Sequence, residues 1–321
     1  MEKIRVGVVR GGPSSEYEVS LNTGANVLRS LDQNKYAPVD IILTKGGEWL
    51  MNGMQTDFAN IAAHVDVIWN ALHGTYGEDG KIQQLFEQFG MPYTGSASLP
   101  SAIGMHKGLA KERFVENGLL VPRGDIVVGG VDIADAAFEI YRNRNFPLIV
   151  KPVTGGSSVG TTIVRSFPEL ASAIEIAAQF GDVLVEDVIS GKEATVCVID
   201  SGAEGEYFVL YPIEIVPQGS KEFFDYEAKY GGATSEICPG RFTLGMHSTL
   251  RDMAVKAHRA IGARHYSRTD FIISDDGIYT LEINTLPGLT DESLIPKALA
   301  AGGVAFPEFL DHVIGLCVVS R

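Results

Sequence analysis

Along the first third of the chain the apolar positions switch between two periods. Ile4 to Val9 is a short apolar run that stops at Arg10-Gly11-Gly12-Pro13, the pattern of a strand ending in a turn. From about Glu18 to Leu31 the apolar positions Val19, Val27, Leu28 and Leu31 supply the inner face of a helix. Val39 to Leu43 and Val65 to Trp69 predict two more strands, and Lys81 to Phe89 a second helix. Apolar strands that alternate with helices imply a parallel sheet covered on both faces. Residues 1–95 are therefore expected to form an open α/β domain.

The middle of the chain changes character. Ser98 to Gly118 has a helical pattern, and Gly118 with Pro122 marks its end. Two strands, Pro147 to Lys151 and Thr161 to Val164, flank a glycine-rich loop. A helix over Pro168 to Phe180 and a strand over Val183 to Glu186 complete a central unit, residues 96–185. The rest, 186–321, opens with strands at Glu193 to Ile199 and Tyr207 to Ile215. A helix at about Thr249 to Ala263, a hairpin and two helices follow. The fold class expected is α/β with α+β elements, in three units without long linkers, so a binding site is expected between them.

Composition narrows the function. The chain of 321 residues carries 40 acidic and 26 basic side chains, a formal charge of −14, which argues against bulk electrostatic binding to nucleic acid or anionic lipid. An anionic substrate then needs a local Lys/Arg cluster or a metal. No run approaches a membrane span, and the start, MEKIRVGVVRGG, reads as a strand and loop without a secretory h-region. Cys197, Cys238 and Cys317 are scattered, which is neither a disulfide framework nor a zinc pattern. The expectation is a cytoplasmic protein with no nucleic-acid or membrane partner.

The most informative segment is Arg268-Thr269-Asp270, a turn at Asp275-Asp276-Gly277, and Leu281-Glu282-Ile283-Asn284. With those three turn residues as the loop, Asp270 falls opposite Glu282, and period two puts Arg268, Asp270, Glu282 and Asn284 on one face. Phe271, Ile273, Leu281 and Ile283 are expected on the other face, in a core. Facing carboxylates repel unless a cation sits between them, and Asp, Glu and Asn oxygens suit Mg2+. A solvated hairpin face is the ordinary reading of such a pair. The Asn and the following Thr285-Leu286-Pro287-Gly288-Leu289-Thr290 loop favour metal.

Three other segments carry candidate chemistry. Lys151-Pro152 before the GGSSVG loop places a lysine at a strand end where loop N–H groups fold over a phosphate, although it matches neither the Walker pattern nor GxGxxG. An ordinary hairpin loop is the competing reading. His73-Gly74-Thr75-Tyr76-Gly77-Glu78-Asp79-Gly80 follows an apolar strand, at the carboxyl edge where open α/β sheets bind ligands. There a histidine bonded within its own loop is the competing reading. Phe223 to Tyr230 interleaves aromatic and charged residues, and Ser14-Ser15-Glu16-Tyr17-Glu18 offers carboxylates that serve equally as helix caps.

In this order, GGPSSEYEVSL, HGTYGEDG, KPVTGGSSVG, FDYEAKY, SRTDF and EINTLPGLT resemble the motifs of the D-alanine–D-alanine ligases, of the ATP-grasp superfamily. The resemblance runs from about residue 4 to 315. It implies an ATP-grasp fold: an N-terminal α/β substrate-binding domain, a small central lid and a C-terminal catalytic domain. It also implies ligation of two D-alanines through an acyl phosphate, with ADP and phosphate released, for peptidoglycan precursors. By that match Lys107, Lys151, Ser157 and Ser158 hold ATP phosphates, Glu186 contacts the adenine region and Glu193 the ribose. Asp270, Glu282 and Asn284 bind two Mg2+ ions, with Mn2+ as an alternative. Glu16 holds the first D-alanine's ammonium, linked to Ser157 and Tyr230, and His73 lies near that substrate. Ser293 and Leu294 hold the second carboxylate, Lys229 reaches the transferred phosphate, and Arg268 with the Gly288 backbone stabilises the oxyanion. Homodimers are usual in the family.

The chain departs from the family pattern at Arg10, Gln84, Gly155, Thr269 and Thr280, none of which is a proposed ligand. Tyr230 beside Lys229 resembles the dipeptide-forming type, and a ligase adding D-lactate or D-serine is the alternative within the class. A nucleotide-binding module without turnover is the alternative outside it, and it predicts a lost lysine or metal ligand.

Overall fold

The computed structural model describes residues 3–156, 159–217 and 234–319. In the first unit β1 (Ile4–Gly11), α1 (Tyr17–Ser30) and β2 (Tyr36–Leu43) lead to a hairpin, β3 (Trp49–Met51) and β4 (Met54–Thr56). Then come α2 (Phe58–His64), β5 (Val67–Asn70) and α3 (Lys81–Gln88). The strand order is β4-β3-β2-β1-β5. The β2-β1-β5 core is parallel as expected, but β3 and β4 add an antiparallel edge that the alternation of strands and helices did not predict. The cause is local: Asn52 and Gly53 take φ of 51° and 82°, the tight hairpin turn that an Asn-Gly pair favours.

The expected helix over Ser98 to Gly118 is two, α4 (Ser98–Met105) and α5 (Lys107–Glu116), separated at His106. His106 leaves helical geometry with φ −93° and ψ 98°, and its ring accepts from the Leu109 N–H as the α5 cap. The central sheet comprises β6 (Gly124–Val127), β7 (Leu148–Pro152), β8 (Thr162–Val164) and β9 (Val183–Asp187). It is antiparallel, in the order β6-β9-β7-β8. Helices α6 (Ile133–Asn143) and α7 (Phe167–Ala178) supply the rest of its core.

The last sheet is built from β10 (Lys192–Asp200), β11 (Tyr207–Val209), β12 (Ile213–Pro217) and β13 (Thr234–Ile237). Helix α8 (Leu244–Ala260), the hairpin β14 (Tyr266–Ser274) and β15 (Gly277–Asn284), then α9 (Leu294–Ala301) and α10 (Phe306–Val319) follow. The order is β13-β12-β10-β14-β15, with β11 also on β10. The run Tyr207 to Ile215, expected as one strand, is broken before Ile213. Pro212 has no N–H to give a ladder, and β11 and β12 pair with successive halves of β10.

The first and last units share a core. Trp69 of β5 stacks on Tyr266 of β14 at 6.4 Å between centroids, and Phe309 of α10 meets both edge-on. The core of the central sheet is drawn only from residues 127–185. Helices α4 and α5 fall in the central range 96–185 by sequence, yet both pack on β15 of the last sheet. No single helix among the described residues is long and apolar enough to cross a membrane.

Candidate active site

The site is built on the β14–β15 hairpin. Its turn is shorter than expected, Ser274 pairing with Gly277, which by itself would move Glu282 out of register with Asp270. A bulge between Asp270 and Phe271 absorbs one residue of β15 and restores the Asp270–Glu282 pair. Arg268 pairs with Asn284, so these four side chains share a face as expected. The bulge also corrects one assignment: Leu281, expected in the core, lines a cavity beside Glu282, whereas Thr280 is wholly buried.

Two cavities meet over this face. One of about 1110 Å³ lies between the central and last sheets, and one of about 670 Å³ lies between the first and last units. Lys107, Gly155, Arg268 and Glu282 line both, so the two spaces adjoin at these groups. The larger has the size of a small-molecule or nucleotide site. Asp270 faces it and Asn284 faces the smaller.

Arg268 grips Asp270 with two bonds, Nε to Oδ1 at 2.9 Å and an NH2 group to Oδ2 at 2.8 Å, and Thr195 Oγ1 also donates to Asp270. Burial works against the Arg268 charge, but Asp270 more than offsets it, so the guanidinium stays charged. Asn284 Oδ1 accepts from the Leu286 N–H at 2.7 Å, which fixes the amide and the start of the loop behind it. A carboxylate has about four lone-pair sites, so the pairing leaves Asp270 acceptor capacity. Two facing carboxylates and an amide oxygen on one face form a hard oxygen donor set that fits Mg2+.

The wall of the larger cavity carries lysines. Lys107 opens α5, its Nζ donating to the Gly155 carbonyl at 2.6 Å and standing 4.0 Å from Glu282. Its backbone N–H donates to the Val153 carbonyl and His106 bridges Thr154, so the foot of the glycine loop is tied to α5. Lys151 on β7 reaches Glu186 on β9 at 2.6 Å, and Lys111 presses on the other Glu186 oxygen. Burial opposes each of these charges. For Glu186 the two lysines prevail and its pKa falls, for Lys151 the carboxylates prevail and its pKa rises, and for Lys111 burial wins, down to about 8. Glu193 lines the same cavity.

Glu16 and His73 line the smaller cavity. Glu16 stands at the N-cap position of α1 without a side-chain capping bond, so the capping reading fails for it. His73 is 4% exposed, its Nδ1 3.3 Å from Glu78 and its Nε2 2.9 Å from the Thr23 hydroxyl. A carboxylate can only accept, so Nδ1 donates to Glu78. Ligand atoms of Glu16, His73 and Glu78 lie within 4.8 Å of one another. Glu78 also accepts from the Gly74 N–H at 3.0 Å, which makes this cluster a hydrogen-bonded loop facing the cavity.

Gly288, Ser293 and Leu294 line the same space, Ser293 as the residue before α9. Thr290 N–H donates to Ser293 Oγ at 3.0 Å, and Asn26 of α1 donates to the Leu289 carbonyl at 2.7 Å, so α1 holds this loop. Ser157, Ser158, Lys229 and Tyr230, with the Phe223–Tyr230 segment, lie outside the described residues. The remaining expected site residues line one or both cavities. Sequence reading missed Lys111, Thr195 and the contact of His73 with Thr23, whereas the His73–Glu78 bond is the within-loop bond of the competing reading. Lys111 lies one turn after Lys107, a spacing equally suited to a solvated helix face.

The departures from the family pattern have local explanations. Arg10 turns away from both cavities to a two-bond pair with Asp40, each bond 2.7 Å, and a Cβ at Gly24 would strike its side chain at 2.6 Å. Gly155 sits at φ +114°, which a charged residue adopts only with strain. Gln84 is exposed on α3. Thr269 and Thr280 are wholly buried, and their hydroxyls find no partner among the described residues. Burial pushes the Cys197 and Cys317 thiols up to about 12, so neither is an activated nucleophile. A Ser267–His258–Asp200 hydrogen-bond chain exists, but Ser267 and His258 are 0% and 1% exposed and no member lines either cavity.

Three sheets around two adjoining cavities, the larger of nucleotide size, with lysines on one wall and oxygen ligands on the floor, define a ligase of the ATP-grasp class. The models "D-ala D-ala ligase N-terminus" and "D-ala D-ala ligase C-terminus" match residues 5–62 with 52–96, and 131–315. The chain belongs to the D-alanine–D-alanine ligase family. It is 39% identical over 320 residues to the D-alanine–D-alanine ligase of Geobacter sulfurreducens, covering 98% of this chain and 94% of that one. Solved structures agree. The VanG D-Ala:D-Ser ligase of Enterococcus faecalis superposes with a TM-score of 0.88 at 31% identity, covering 98% and 99% of the two chains. The D-alanine–D-alanine ligase of Bacillus anthracis complexed with ATP gives 0.83 at 32%, covering 99% and 98%.

Proposed function

We propose that this chain joins two D-alanine molecules into D-alanyl-D-alanine, with ATP converted to ADP and phosphate, as a step towards peptidoglycan precursors. The observation that carries this reading is the adjoining of the two cavities at Lys107, Arg268 and Glu282. A nucleotide in the larger cavity then meets amino acids in the smaller one where cationic and metal-ligating groups converge.

A carboxylate is a poor electrophile for an amine, so the first D-alanine must be activated. Glu16 receives its ammonium, beside the His73–Glu78 pair, and its carboxylate points to the junction. Lys107 and Lys151 take the ATP phosphates, Glu186 borders the base and Glu193 the ribose, and Ser157, Ser158 and Lys229 complete the phosphate cradle. Asp270, Glu282 and Asn284 hold two Mg2+ ions, which offset charge between nucleotide and carboxylate when bound. Phosphoryl transfer between two anions is mostly positioning and charge stabilisation. The carboxylate oxygen bonds the γ-phosphorus as the bond to ADP breaks, giving an acyl phosphate. The second D-alanine, its carboxylate at Ser293 and Leu294, attacks that carbonyl through its amine. Arg268, held by Asp270, and the Gly288 backbone meet the oxyanion, which collapses with loss of phosphate. Tyr230 joins Glu16 and Ser157 in setting the first substrate.

The three units divide this work, 1–95 for the amino acid, 96–185 as lid and 186–321 for catalysis, in a cytoplasmic homodimer. The test is ADP release with ATP, Mg2+ and D-alanine, L-alanine serving as control. ADP, phosphate and dipeptide forming only with the D-isomer is the expected result; ATP binding without turnover on any acceptor overturns it. Glu282→Ala is expected to lower the rate by at least about 100-fold. Likeness to a D-Ala:D-Ser ligase favours one second reading, D-serine as acceptor. Competition between D-serine, D-lactate and D-alanine for the second position decides it.

A further inference from the structure

Among the described residues, Lys111 is the one lysine of the site wall that lines neither cavity. It lies on α5, 7% exposed, against one oxygen of Glu186, while the other oxygen takes Lys151 at 2.6 Å. Two cations therefore share one buried anion, and only Lys151 and Glu186 face the larger cavity. We infer that Lys111 is a positioning residue for the nucleotide, holding Glu186 from behind so that Lys151 can serve a phosphate group. This rests on the reading that the larger cavity takes ATP with its phosphates at Lys151.

The reason is the cost of an unpaired buried charge. With Lys151 as its only partner, Glu186 would be left bare whenever Lys151 turned to a phosphate, and a bare buried carboxylate is strongly unfavourable. With Lys111 in place Glu186 keeps a cation, and the trio presents a net positive charge to the cavity. The arrangement also has a pH signature. Glu186 from β9, Lys151 from β7 and Glu282 from β15 are the charged groups that act on Lys111. Glu186 is held below its ordinary value of 4.5 and Lys151 above its ordinary 10.5, so within the trio only Lys111, at about 8, titrates just above neutrality. Its proton is lost as pH rises, and with it the net charge.

The experiment measures KM for ATP and kcat from about pH 6.5 to about 9.5 in the full chain with Mg2+, for wild type, Lys111→Met, Lys111→Arg and Lys151→Met. In wild type KM for ATP is expected to climb above about pH 8. Lys111→Met should raise KM about tenfold or more at neutral pH, with kcat at saturating ATP within about threefold. Lys111→Arg, charged throughout, should keep low KM and abolish the alkaline climb. An unchanged KM in Lys111→Met, or a persisting climb in Lys111→Arg, overturns the inference. The arginine variant decides it even where the methionine variant fails to fold. Unaltered ATP binding in Lys151→Met overturns the placement of the nucleotide and this inference with it. Weakened binding there with wild-type behaviour in both Lys111 variants overturns this inference alone.

Discussion

Thr269 and Thr280 are misfits at the scale of a single residue. Each hydroxyl is wholly buried without a partner among the described residues. A buried polar group left unpaired costs about 1–3 kcal/mol, and an apolar replacement of the same shape removes that cost. Thr280→Val is therefore expected to raise stability by about 1 kcal/mol with kcat unchanged, read by denaturant unfolding and the ADP assay. His265 makes a different prediction. Burial, reinforced by Arg264, pushes its pKa down from 6.5 to about 4, and Asp200 offsets this only in part. The folded imidazole stays neutral where the unfolded one gains a proton. Its contribution is full above pH 6.5 and declines as pH falls to about 4, below which it is constant. The expected loss is about 3 kcal/mol across that window. His265→Asn, which tolerates the φ of 65° at this position, should flatten that part of the stability–pH curve.

At the scale of elements, the hairpin under the site shows how a right expectation can rest on two departures that cancel. A turn one residue shorter than expected and a bulge beside Asp270 together leave Glu282 opposite Asp270. The visible consequence is Leu281, moved from the core to the floor of the larger cavity. Leu281→Ala should raise KM for ATP about tenfold, since burying a leucine side chain is worth roughly 1.5–3 kcal/mol, and leave the melting temperature nearly unchanged. Equal loss of stability and affinity would return Leu281 to the core. The Asn52-Gly53 turn and the Asp132 cap of α6, which accepts from the Ala134 and Asp135 N–H groups, were legible signals left unused. The split at His106 was only weakly legible, in Gly104 and Gly108 on either side of it, and the bridge to Thr154 that accompanies it is tertiary.

Across the whole molecule, the first and last units share a core around Trp69, Tyr266 and Phe309, while the central sheet closes its own. Calorimetry without ligand is expected to show two transitions, the smaller from the central unit. Saturating ATP should raise the smaller one toward the larger, by about 2.7 kcal/mol at 100 times Kd. A single ligand-independent transition would sink this division.

The sequence by itself determined the parallel start, the glycine loop between two strands, the shared face of Arg268, Asp270, Glu282 and Asn284, and the family. Each follows from nearest neighbours along the chain, from side-chain period, or from motifs in order. Only the tertiary structure decided that Lys111 lies buried behind Glu186, that Leu281 faces the larger cavity, and that Arg10 is spent on Asp40. Those outcomes depend on which surfaces meet. A lysine on a helix reads the same toward water or toward a buried carboxylate until the partner strand is in place.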